Sequence, residues 1–93
     1  MISQERLREV LDYNPETGEF RWKVATGPRA KIGAVAGRVV EDGYVRIKID
    51  THLYRAHRLA FMWMVGAWPK HEVDHINRMR SDNRWLNLRQ ATK

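Results

Sequence analysis

The chain has 93 residues, no cysteine, and 17 Lys plus Arg against 11 Asp plus Glu, for a formal charge of +6. That length holds one small domain, or two portions sharing one core. The missing cysteines exclude disulfides, thiol catalysis and Cys-ligated zinc, and make a reducing compartment the default. Hydrophobic residues at 43% are too many for a disordered chain, and four Trp with five other aromatics must supply a dense core. The charged start Gln4-Glu5-Arg6 does not read as a signal peptide, and the longest apolar run, Leu59 to Trp68, is about half of the roughly 20 residues a spanning helix needs, so no membrane partner is expected. The basic surplus favours a polyanion such as nucleic acid. It is concentrated: residues 1–50 carry nine cations and eight acids, residues 51–93 eight and three, and the second half holds all four histidines.

Ser3 is placed to cap a helix, with Ile2 and Leu7 at the spacing of a hydrophobic staple and Leu7, Val10 and Leu11 forming an apolar stripe. Asp12 to Gly18, with Pro15 inside it, ends that helix and starts a strand over Glu19 to Val24, whose Phe20, Trp22 and Val24 share a face. The segment from Ala25 to Gly37 has no clear period and reads as loop. Asp42-Gly43 is a hairpin signal between Arg38-Val39-Val40 and a strand from Tyr44 to Ile49. Alternation on the latter puts Val45, Ile47 and Ile49 on a buried side and shows Tyr44, Arg46 and Lys48 on the other. A third strand covers Leu53 to Ala56. Ala56, Leu59, Ala60, Trp63 and Met64 then recur with helical spacing until Gly66 and Pro69. The expected fold is α+β: a short N-terminal helix, a three-stranded antiparallel sheet packed on one helix, and a terminal pair of strands.

The stretch from Glu72 to Arg89 gathers Asp, His, Asn and Arg between a few large apolar residues. Phosphodiester hydrolysis asks for a base, a hard cation and groups that hold the strand in line. His75 has the right ordinary pKa, about 6.5, for the base. Asp74 has the oxygens a divalent ion prefers, and Arg78, Arg80, Arg84 and Arg89 can grip phosphates. Adjacent strand residues point to opposite faces, so Asp74 and His75 share one ion only at a strand end or twist. Plain readings stand beside these. His57 reads as a structural hydrogen bonder and Arg58 as a phosphate contact. His52 and His71 read as loop residues, Asp82 and Asn83 as turn formers, Trp85 and Leu86 as anchors, and Trp63 and Met64 as core.

The runs Ala56-His57-Arg58-Leu59-Ala60, Val73-Asp74-His75-Ile76-Asn77, Asp82-Asn83-Arg84 and Asn87-Leu88-Arg89, with the head Leu11 to Gly18, Phe20 and Trp22, resemble the HNH endonucleases encoded by phages and mobile introns. The resemblance implies metal-dependent cleavage of double-stranded DNA at a ββα-metal site. In that site His75 is the general base, Asn87 orients its imidazole by a hydrogen bond, and Asp74 ligates Mg²⁺ or Mn²⁺. It divides the chain into a DNA-binding portion over 1–69 and an HNH portion over 70–93, places the closing metal ligand beyond Lys93, and likens the sheet to the plant ethylene-response (AP2) type of DNA-binding module. DNA contacts are then expected from Tyr44, Arg46, Lys48, Arg58, Arg78, Arg80, Arg84 and Arg89. A cytoplasmic site in a bacterial cell follows, and a homodimer is allowed. The rival reading is a non-catalytic duplex-DNA-binding module, and a weaker one, resting on charge alone, is a ribosomal-type RNA binder.

Overall fold

The structure, a computed structural model, describes residues 1–25, 27, 28 and 30–91. Helix α1 (Gln4–Val10) starts where Ser3 accepts the Arg6 amide, and buries Leu7 and Val10. It stops one residue sooner than its apolar stripe suggests. Leu11 turns into strand β1 (Leu11–Tyr13), which pairs antiparallel with β2 (Phe20–Trp22) in the register Leu11 to Trp22 and Tyr13 to Phe20. The pairing buries Leu11 and Tyr13 beside Phe20 and Trp22. In the segment without clear period, Val35 bridges to Arg21 and the Trp22 amide donates to Ala34, so this stretch runs along β2.

Strands β3 (Arg38–Val39), β4 (Val45–Ile49) and β5 (His52–Arg55) form the expected antiparallel sheet in that order. Helix α2 (Ala56–Val65) covers its aliphatic side and ends at Gly66, whose φ of 88° is open to glycine. Ile47, Ile49, Leu59 and Ala60 are fully or almost fully buried in a cluster shared with Leu7, Val10, Leu11 and Phe20. Each large aliphatic or aromatic side chain of that set contributes about 1.5–3 kcal/mol. The tail adds the hairpin β6 (Glu72–His75) and β7 (Leu88–Ala91), with a short 3₁₀ turn over Trp85–Asn87 ahead of β7. Val73 and Leu88 join the same core. The α+β class and the three-stranded sheet on one helix are as expected. Among the described residues no helix is long and apolar enough to cross a membrane.

The head of the chain is bolted to its tail. The Tyr13 hydroxyl donates to the Asn83 carbonyl, the Trp85 amide donates to the Pro15 carbonyl at 2.9 Å, and Gly18 lies flat against the Asn83–Arg84 peptide. Gly18 has a φ of 80°, and a Cβ there would sit 2.4 Å from the Arg84 nitrogen and 2.4 Å from the Asn83 carbonyl carbon. Both neighbours are backbone, so nothing flexible can yield. Gly18→Ala is expected to cost about 2 kcal/mol or more, combining left-handed strain with the clash. A urea denaturation midpoint that falls at unchanged slope is the check.

Candidate functional site

Strand β6 presents alternating faces, with Val73 and His75 inward and Glu72 and Asp74 outward. His75 is 5% exposed, and its Nε2 lies 2.9 Å from Asn83 Oδ1. An amide oxygen has no proton to give, so Nε2–H is the donor and the neutral ring keeps its lone pair on Nδ1. Among the described residues none of the hydrogen bonds uses Nδ1.

The amide bonded to the His75 ring is therefore Asn83, where Asn87 was expected. Asn87 is buried one layer away. It accepts from the Asn77 amide at 3.0 Å and donates to Asn77 Oδ1 at 3.0 Å and to the Asp82 carbonyl at 2.8 Å, closing the loop that carries Asn83. Asp82 takes both ends of the Arg84 guanidinium, at 2.8 and 2.7 Å, and a bond from Asn77, which hold its carboxyl down at about 2. The turn role read for Asp82 holds, while Asn83 does more than close a turn. Leu86, expected as an anchor, is 90% exposed, because the 3₁₀ turn places Trp85 and Asn87 against the protein and Leu86 outside.

Two further rings pack on His75. His57, second residue of α2, is buried with its centroid 5.0 Å from His75 at 54°, and it stacks on Tyr44 at 5.1 Å and 24°. Tyr44 is thus half-buried against the histidines and is not part of an open sheet face. The Arg55 and Arg80 guanidiniums lie over its ring at 4.6 and 4.9 Å. His57 makes no side-chain hydrogen bond among the described residues, so the structural hydrogen bonder expected there is a packing ring. Burial, helped by His75, Arg55 and Arg58, pushes it down to about 4.

Asp74 points the other way. Its Oδ2 pairs with Arg89 at 3.2 Å on the outer face of the β6–β7 hairpin. A divalent ion of the Mg²⁺ kind takes several hard oxygen ligands at once. The described residues contain no group of three or more His, Asp or Glu side chains able to hold an ion, and Asp74 and His75 diverge. They do not make a complete cation site.

The sheet face opposite α2 is cationic. Register places Arg38 across from Arg46 and Arg46 across from Arg55, three arginines in one row, with Lys48 exposed beyond them. Like charges directly opposed weaken a sheet. Asp42 relieves part of this, 3.1 Å from Arg46 and 3.8 Å from Arg55, and the bond from the Tyr44 amide, followed by these two contacts, holds its carboxyl below the usual range. A groove of about 920 Å³ runs beside the row, lined by Arg38, Arg46, Lys48, Leu53 and Trp22. Of the other expected phosphate contacts, Arg80 bonds the Asp42 carbonyl at 2.7 Å, Arg84 holds Asp82 and Arg89 holds Asp74. Arg58 and Arg78 have no ion-pair partner among the described residues. Arg38 and Arg55 were missed in the sequence: counting outward from a two-residue Asp42-Gly43 turn sets Arg46 opposite Val39, and it is the three-residue loop Glu41-Asp42-Gly43 that brings Arg38 across from Arg46.

Residues 54–93 match the family model described as HNH endonuclease. The solved structure describing DNA binding and cleavage by the HNH homing endonuclease I-HmuI is 22% identical, with a TM-score of 0.69, covering 98% of this chain and 51% of that one. The likeness is one of fold, and the chain spans about half the length of that protein. The comparison with curated proteins gives no significant match.

Two outcomes follow from this geometry. The unfolded chain takes up a proton at the ordinary histidine value of 6.5, whereas folded His57 resists it down to about 4. The His57 contribution is therefore level above pH 7 and falls as pH drops from 6.5 to 4; Asp82, held at about 2 against an ordinary 3.8, adds a second loss below pH 4. Urea titrations across pH read both, and His57→Phe should flatten the upper limb. Calorimetry on the 93-residue chain should show only weak, non-stoichiometric Mg²⁺ uptake, because one ion-paired carboxylate cannot replace the ion's water.

Proposed function

We propose that this chain is the duplex-binding and base-bearing part of an HNH-type endonuclease that hydrolyses phosphodiester bonds in double-stranded DNA. The observation that carries it is the His75–Asn83 bond, which fixes the proton on Nε2 and keeps Nδ1 able to accept one. The match of residues 54–93 and the shared fold with a DNA-cleaving protein support the same reading. A cytoplasmic bacterial site fits it, with Mg²⁺ or Mn²⁺ as the ion and Asp74 as its protein ligand once released from Arg89.

In the proposed reaction a water oxygen attacks phosphorus while His75 Nδ1 takes its proton, and the opposite P–O bond breaks with its electron pair leaving on oxygen. Asn83 holds the imidazole directly. Asn87 acts through the loop it closes, so both amides are positioning residues for the base. Arg58 and Arg78 are the readiest phosphate contacts, and Arg80, Arg84 and Arg89 exchange their present partners for phosphate. The Arg38–Arg46–Arg55 row with Lys48 tracks the duplex backbone, laid in the major groove as in the plant ethylene-response type of sheet. Tyr44 serves the base and not the groove.

The rival reading, a binding module without catalysis, draws on one observation: Asp74 faces away from His75 and is already paired.

Nicking of supercoiled plasmid with Mg²⁺ or Mn²⁺ separates the two. His75→Ala should abolish nicking, and Asn83→Ala and Asn87→Ala should lower it by about 10²-fold, the size of a general-base contribution. Binding to duplex DNA should survive all three. Replacing Arg46 and Lys48 by Ala should lower the salt slope of binding by about two, one for each phosphate that is no longer neutralised. Nicking that persists in His75→Ala moves the base elsewhere; duplex binding with no nicking under any divalent ion selects the binding module.

A further inference from the structure

We propose that His57 is a positioning residue for the His75 imidazole, acting as a packed ring that fixes its plane together with Tyr44. The proposal rests on the reading of His75 as the base, and adds a residue that this reading leaves without a task.

One hydrogen bond does not orient an imidazole. The bond from Nε2 to Asn83 Oδ1 anchors one edge of the ring but leaves it free to swing about that contact, and a base must aim its lone pair to within about 10–20°. The missing constraint is a surface against the ring. His57 provides it at 5.0 Å, and Tyr44, 6.0 Å from His75 and stacked on His57, closes the third side of the triangle. His57 is held from its own side. It is the second residue of α2, in the same turn as buried Ala56 and Leu59, and is itself 5% exposed. Tyr44 is held by the two guanidiniums above its ring.

The ring acts by shape. No hydrogen bond to its nitrogens occurs among the described residues, so what His75 meets is an aromatic surface. The arrangement also links the arginine row to the base, since Arg55 ends the row and caps the tyrosine on which His57 stacks.

The test reads His75 directly and needs no cleavage. In the full chain labelled with ¹⁵N-histidine at pH 8, long-range ¹H–¹⁵N spectra should show His75 as a single tautomer, protonated on Nε2 with Nδ1 bare. His57→Ala should draw the two His75 nitrogen shifts toward each other as the ring loosens, while His57→Phe leaves them in place. Where nicking is measurable, His57→Ala should lower kcat by about 10- to 100-fold with KM for DNA unchanged, and His57→Phe should restore it. Unmoved His75 shifts in folded His57→Ala overturn the proposal, as do altered shifts in folded His57→Phe, which would assign the role to a ring nitrogen. Should His57→Ala fail to fold, Tyr44→Leu decides: it should move the same shifts, and unchanged shifts would refute the three-ring arrangement. If the chain proves a binding module, the spectra answer the question all the same.

Discussion

The geometry of the site depends on the contact between the first hairpin and the Asn83–Arg84 peptide. Loop 76–84 has little regular structure of its own, and isolated two-stranded hairpins such as β6–β7 are marginal in water. Tyr13, Pro15 and Gly18 supply the outside reference by gripping the backbone on either side of Asn83. Asn83 then holds His75, and His75 meets His57 of α2 and Tyr44, the residue just ahead of β4. Tyr13, 70 residues from Asn83 in sequence, thus helps determine where the His75 ring points. Burial of the Tyr13 hydroxyl pushes its ionisation up, which keeps it a donor in this clamp at any ordinary pH.

Local signals located the elements well where the chain itself enforces them. Ser3 caps α1, Asp42-Gly43 turns the hairpin, and the 56–64 periodicity runs to Gly66, because each rests on neighbours within a turn. Strand β1 was not legible for the opposite reason. Leu11 continues a helical stripe, and only pairing with Trp22 makes extended backbone the better use of it. The terminal strands were legible through the resemblance more than through alternation, since each has four residues.

The site divides along the same line. The sequence singles out His75 by the company it keeps, but does not say which amide holds its ring. Asn83 and Asn87 stand eight and twelve residues away, and a loop without period gives no means of choosing between them. His57 was hidden by its place just beside the apolar stripe of α2, a helix buried around a wider arc than five spaced residues reveal. Tyr44 was misplaced because alternation tells which side of a strand a residue leaves, not what a neighbouring loop brings to that side. The divergence of Asp74 from His75, by contrast, follows from the two-residue period of any strand and was visible in advance.

The three opposed arginines give the chain an unusual dependence on its surroundings. Their mutual repulsion is carried by the fold whenever the sheet face is bare, with Asp42 as the one acid that tempers it among the described residues. A polyanion lying across the row removes that repulsion and stabilises the folded state in proportion to its occupancy. Segments that open transiently are where proteases cut, and opening is more frequent in the less stable form. Molecules without a polyanion should therefore turn over faster than those that carry one, so that the amount of this protein in a cell would follow the occupancy of the arginine row.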